Sequence, residues 1–245
     1  RPTYTPPAMK AATVSRQGGL IDDVVGMATD LPMPTRTPKS NEILIRVLAC
    51  SLAPGDVRVL KGEADAFQKP KALPYVLGGD VCGVVLEADA KSRFKAGDVI
   101  VSMFHEVPFG GLAEFAIVRE YASSLKPDAL SAVEASTLPS SALTAMFGAD
   151  HVRNGDRVLI LGASGGVGTT LLQLARRAGA SHITAATSTQ PDLLKSLGAD
   201  RVIDYTKVNW WEDPELVKNP VDLVFDLSAG TGAWRRRGQT PRAQK

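Results

Sequence analysis

The sequence predicts an α/β protein in two parts: an N-terminal all-β domain of GroES-like barrel size and a C-terminal Rossmann-type, doubly wound parallel sheet. Three observations predict it. Residues 9–130 carry short β-rich runs separated by Gly, Pro and Asp turns, with few helical stretches. From residue 158 onward, apolar runs alternate with segments of helical spacing, the pattern of a parallel sheet. Between the first of those strands and the first of those helices stand Gly162, Gly165, Gly166 and Gly168.

The elements follow in order. Residues 1–8 are rich in Pro and Thr, and apolar alternation begins after Met9-Lys10. Residues 42–49 alternate and are β-rich, and residues 76–86 form a second run around the turn Gly78-Gly79-Asp80. Two further strands are expected at 98–102 and 113–118, the latter after Gly110-Gly111. Residues 130–150 read as mostly helical, with an apolar face through Val133, Leu138, Leu143 and Phe147, and the second domain is placed at 131–245. There the turn Asn154-Gly155-Asp156 precedes a buried strand at 158–161. Val167, Leu171, Leu172, Leu174, Ala175 and Ala178 then recur at helical spacing until Gly179 closes the helix. A strand at 182–186, a helix at 192–197 and strands at 202–204 and 222–226 complete the pattern. Residues 231–245 turn basic and polar where a doubly wound sheet continues with further strands, so the sheet is expected to be incomplete.

The glycine run has a physical use. Glycine permits a sharp turn and lets backbone approach a pyrophosphate, and the free N–H groups and dipole of a helix start favour negative charge. The strand–turn–helix context makes residues 162–168 a dinucleotide site, with Gly162, Ala163, Ser164, Gly165, Gly166, Val167 and Gly168 around the phosphates. An acid at the end of the next strand would hold a ribose 2′-OH. The sequence there reads Thr187-Ser188-Thr189-Gln190. Small hydroxyl side chains leave room for a 2′-phosphate and donate to it, so NADPH is favoured over NADH, with Thr187 and Ser188 as its contacts.

Composition excludes several classes. The 44% hydrophobic and 22% charged content is that of an ordinary globular protein, and 28 basic against 26 acidic residues argue for neither nucleic-acid nor membrane binding. No apolar run approaches a membrane span, and the start lacks the order of a secretory signal. Two cysteines, Cys50 and Cys82, are too few for a disulfide framework and fit a reducing, cytoplasmic setting. His105, His151 and His182 share no ligand spacing, Cys82 reads as a small core residue, and Trp210-Trp211 reads as packing at the sheet edge.

In combination these motifs resemble the medium-chain dehydrogenase/reductase superfamily, and within it the zinc-free quinone oxidoreductase, or zeta-crystallin-like, branch. The matching stretches are ILIRVLACSLAPGDVRVLKG, LPYVLGGDVCGVV, FKAGDVIVSMF, GGLAEFAIV, ASTLPSSALTAMFGA, GDRVLILGASGGVGTTLLQLARRAGA and LKSLGADRVIDY, in that order. The resemblance implies a GroES-like domain, a Rossmann domain and an active site in the cleft between them. Where zinc-dependent members place their catalytic Cys, His and Cys, this chain has Ala53, Gly79 and Ser140, so no zinc is expected. Hydride transfer from NADPH to a quinone or an α,β-unsaturated carbonyl is the implied chemistry.

The resemblance also assigns single residues. Thr144 matches the Thr whose hydroxyl faces the nicotinamide, and Tyr205 in VIDY matches a Tyr near the adenosine phosphate, against packing on the sheet. Asp56 orders a substrate or caps the helix that follows it, with the cap favoured. Ser140 lines the pocket or fills the space of the missing ligand. The Tyr proton donor of enoyl-thioester reductases has no secure match, since Tyr75 lies in a different motif, so that activity is the alternative within the enzyme class. A non-catalytic NADPH-binding protein is the alternative outside it. Family members pair through edge strands at the end of the Rossmann sheet, so a homodimer is the expectation for the full-length family and is in doubt for this chain.

Overall fold

The computed structural model describes residues 8–68, 70, 72–104 and 110–228; His105 and residues 231–245, with Arg235, Arg236 and Arg237, lie outside them. The chain divides into two compact units between Ser140 and Ser141.

The first unit holds β1 (Ala8–Val14), α1 (Ile21–Val24), β2 (Val25–Pro32), β3 (Glu42–Ser51), α2 (Pro54–Lys61), α3 (Asp65–Gln68), β4 (Tyr75–Val76), β5 (Asp80–Glu87), β6 (Val99–Met103), β7 (Phe115–Arg119), β8 (Ser123–Leu125) and α4 (Ala132–Ser136). Five strands form an antiparallel sheet in the order β7-β3-β5-β6-β8, and three form a second in the order β2-β1-β4. The period-two spacing of Ile43 and Ile45, and of Val81 and Val85, puts those side chains on one face with Ile100, Ala116 and Val118, all buried. A second core gathers Val14, Val24, Val59, Leu60, Tyr75 and Leu77.

The run at 76–86 breaks at its turn, where Gly78, with φ of +103°, sends β4 into one sheet and β5 into the other. One expectation is corrected here. The helical stretch after residue 130 is also divided. Helix α4 packs on β3 and β5 with Ala135 and Ser136 buried, so residues 131–140 belong to the first unit and not, as placed from sequence, to the second. Burial against a distant sheet decides the matter, and local spacing carries no sign of it.

The second unit takes up most of α5 (Pro139–Ala149), followed by β9 (Arg157–Leu161), α6 (Gly166–Arg177), β10 (His182–Ala186), α7 (Pro191–Ser196), β11 (Arg201–Ile203), α8 (Pro214–Lys218) and β12 (Leu223–Asp226). The sheet is parallel throughout, in the order β11-β10-β9-β12. Both faces of β9 are covered. Val158 and Ile160 join Leu171, Leu172 and Ala175 of α6 on one side, while Leu159 and Leu161 join Ile203, Leu216 and the partly buried Trp210 on the other. A strand buried on both faces reads as a continuous apolar run, which is why 158–161 is legible from sequence. The order reverses between β10 and β12 around β9, and the crevice at such a point, beyond the carboxyl ends of the strands, is where α/β sheets bind ligands.

Candidate functional site

The turn from β9 into α6 lies at that point of the second unit. Gly162 has φ +73°, and a Cβ there would stand 3.0 Å from the Leu227 carbonyl that follows β12. A Cβ on Gly168 would meet Ala163 Cα and the Gly162 and Ala163 carbonyl oxygens at 2.6 Å, so this glycine lets α6 close on the turn. Gly165 and Gly166 are exposed, and a Cβ on Gly165 would approach nothing but the Gly162 oxygen, at 3.5 Å. Gly165 is the residue before the helix and offers no side-chain cap, so the first-turn N–H groups of a twelve-residue helix face an open, glycine-lined cradle. Such a helix start favours an anion by its free N–H groups and by its dipole.

Not every residue of the run faces outward. Ala163 is fully buried and its N–H donates to the Ala186 carbonyl, while Val167 packs against the core; neither side chain is offered to a ligand. Ser141 of α5, which sequence reasoning missed, sits so close that a Cβ on Gly166 would lie 2.9 Å from its hydroxyl. Exposed Thr144 follows Ser141 by three residues on α5, and so shares its side of that helix.

Hydroxyl groups collect at the end of β10. Thr187, itself buried, donates to Ser164 Oγ at 3.0 Å and accepts from the Thr189 N–H at 3.3 Å. Ser188 donates to the Tyr205 hydroxyl at 2.9 Å. Tyr205 is 56% exposed, which sets it apart from a ring packed on the sheet. The structure thus brings Ser164, Thr187, Ser188 and Tyr205 together beside the glycine turn.

A second group of functional side chains lies in the first unit. Asp56 stands in the first turn of α2, and its Oδ2 accepts the Ala53 N–H at 2.7 Å, which is the capping role expected of it. Its Oδ1 lies 3.4 Å from where a Cβ of Gly79 would be. Ser140 donates to Asp80 Oδ1 through its hydroxyl at 2.7 Å and its N–H at 3.2 Å, and Asp80 is 2% exposed. Ala53, Gly79 and Ser140 therefore surround the two carboxylates, and among the described residues no group of three or more His, Cys, Asp or Glu is set to hold a metal ion. Burial raises both carboxyl groups above the ordinary range, and for Asp80 the Asp56 charge adds to it. Burial, then the same two carboxylates, pushes the Cys50 thiol up to about 12. Sequence reasoning set aside Tyr75, read Asp80 as part of a turn and gave Cys50 no site role; they come from three separate strands.

A GroES-like β unit joined to a parallel sheet with a glycine turn at its switch point defines a class of two-domain dinucleotide-dependent oxidoreductases. Residues 39–128 match the family model described as alcohol dehydrogenase GroES-like domain, and residues 166–236 match that described as zinc-binding dehydrogenase. The chain is 37% identical over 238 residues to 2-methylene-furan-3-one reductase of Solanum lycopersicum and 36% identical over 232 residues to the NADPH-dependent alkenal/one oxidoreductase, chloroplastic, of Arabidopsis thaliana. These alignments cover 93% and 90% of this chain and 58% of each relative, so the chain spans under two thirds of their length. The quinone oxidoreductase from Coxiella burnetii superimposes with a TM-score of 0.76 at 30% identity, over 91% of this chain and 69% of that one. The chain belongs to the medium-chain dehydrogenase/reductase superfamily, in its quinone oxidoreductase-like branch.

Proposed function

We propose that the protein is an NADPH-dependent, zinc-independent reductase of quinones or α,β-unsaturated carbonyl compounds. The observation that carries the reading is the exposed glycine cradle at the start of α6, with four hydroxyl side chains beside it and no acid among them. The first-turn N–H groups after Gly165 would hold the pyrophosphate, and Ser164, positioned by the buried Thr187 hydroxyl, would hold the 2′-phosphate together with the Ser188–Tyr205 pair. Thr144 would meet the nicotinamide end. Bound NADPH would supply a hydride for an electron-poor carbon conjugated to a carbonyl. The chain's contribution is orientation and exclusion of water around the reacting carbon. Ala53, Gly79 and Ser140 offer none of the side chains with which proteins hold catalytic zinc, and this supports a reduction without a metal Lewis acid. The names of the tomato and Arabidopsis relatives agree with the substrate class. Loss of reduced-nicotinamide absorbance on adding a simple quinone or a short enone tests the reading. Turnover with NADPH is expected, and NADPH that binds yet is not consumed by either acceptor would replace it with a cofactor-binding role.

A further inference from the structure

The start of α6 offers a phosphate its backbone N–H groups and no side-chain donor of its own. Gly165, Gly166 and Gly168 have none to give, and Val167 packs against the core. The Thr169 and Thr170 hydroxyls turn back onto the helix, donating to the Gly165 carbonyl at 3.1 Å and the Gly166 carbonyl at 2.9 Å. The Thr187–Ser164 and Ser188–Tyr205 pairs stand on the side of β9 taken by β10 and β11.

Helix α5 closes the other side, within the same unit from Ser141 onward. A Cβ on Gly148 of α5 would stand 3.2 Å from Leu171 of α6 and 3.5 Å from the Phe225 ring of β12, the strand that flanks β9 opposite β10. Near the start of this helix stands Ser141, partly buried, whose hydroxyl makes no hydrogen bond among the described residues. That hydroxyl borders the first residue of α6: a Cβ on Gly166 would lie 2.9 Å from it. A side chain at position 166 would push the hydroxyl aside, and glycine leaves it at the mouth of the cradle.

We propose that Ser141 is a cofactor-binding residue whose hydroxyl donates to the pyrophosphate, at the phosphate that carries the nicotinamide ribose. This rests on the reductase reading above. The 2′-phosphate belongs to the adenosine ribose, so the hydroxyl pairs on the β10 side take the adenosine end. The dinucleotide then crosses the cradle toward α5, and its second phosphate comes to the side where Ser141 stands. Thr144, three residues further along α5, lies in the direction of the nicotinamide. A serine hydroxyl is suited to the task because it donates to a charged oxygen, and such bonds are stronger than neutral ones. Ser141 thereby holds the cofactor from the side opposite Ser188 and Tyr205.

The experiment measures binding to the full chain. NADPH and NADH are titrated by nicotinamide fluorescence, and adenosine 2′,5′-bisphosphate, which has the adenosine end and lacks the second phosphate of the bridge, is titrated by displacement of NADPH. Ser141→Ala should weaken NADPH and NADH by the same factor, about tenfold, and leave the bisphosphate within about twofold of wild type. Ser141→Asp, which sets a charge against the phosphate, should weaken both dinucleotides further, by about 10²-fold. Ser188→Ala should do the opposite of Ser141→Ala, weakening NADPH and the bisphosphate and sparing NADH. Circular dichroism and urea unfolding without nucleotide confirm that each variant folds. Ser141→Ala protein that binds both dinucleotides as wild type does overturns the assignment, and so does equal loss of the bisphosphate, which a general disturbance of the turn would produce. In either case wild-type binding of NADPH leaves the reductase reading standing. If wild type binds neither dinucleotide, that reading fails and the role of Ser141 with it.

Discussion

Gly165 and Gly168 do opposite work at the start of α6. Gly168 has no room for a methyl group, because its Cβ would stand 2.6 Å from Ala163. Gly165, with φ −76° and an open side, has room. Gly168→Ala is expected to destabilise the protein by about 1–3 kcal/mol, read from urea unfolding, since the helix must lift off the turn. Gly165→Ala should leave the unfolding midpoint nearly unchanged and weaken NADPH binding, because the methyl group would stand in the phosphate cradle. A Gly165→Ala protein that binds NADPH as wild type does would place the phosphates elsewhere. The glycine turn was legible because such residues announce a backbone constraint wherever they stand. The group of Cys50, Asp56, Tyr75 and Asp80 was not, because one helix and strands of two different sheets supply its members.

At the scale of elements, the central strand carries the second unit. Leu159 of β9 is fully buried between β10 and β12, and Leu159→Ala should lower stability by about 2–5 kcal/mol in chemical denaturation. The amino ends of the strands hold a different chemistry. His182 of β10 lies near Asp200 and Arg157, and burial, then the Arg157 charge, holds its imidazole below the ordinary value. The folded protein therefore takes up a proton less readily than the unfolded chain. Stability contributed by neutral His182 is present above about pH 6.5 and falls as the pH drops below it. Unfolding midpoints measured from pH 8 to pH 5 should decline in wild type, and that decline should be shallower in His182→Gln; equal slopes would assign it to other groups. The strands and helices of this unit are legible because apolar run, glycine and helix follow one another locally. In the first unit, the separation of β4 from β5 and the docking of α4 on β3 depend on contacts with remote strands, which a local pattern does not contain.

For the whole molecule, the family assignment and the two-unit architecture agree. The β unit carries the carboxylates of Asp56 and Asp80, and the sheet unit carries the glycine cradle. Ligand linkage provides a global check, because a cofactor that binds the folded state alone stabilises it by about 2.7 kcal/mol at one hundred times its dissociation constant. NADPH at that excess should raise the unfolding midpoint more than NADH at equal concentration. The central claim is that the turn from β9 to α6, with Thr187, Ser188 and Tyr205, is a site for a 2′-phosphorylated dinucleotide. Equilibrium titration of the chain with NADPH and with NADH, followed by nicotinamide fluorescence, tests it most directly. NADPH is expected to bind at least about tenfold more tightly, a difference of about 1.4 kcal/mol. Equal affinity for the two would remove the role of the hydroxyl group at β10, and binding of neither would contradict the account.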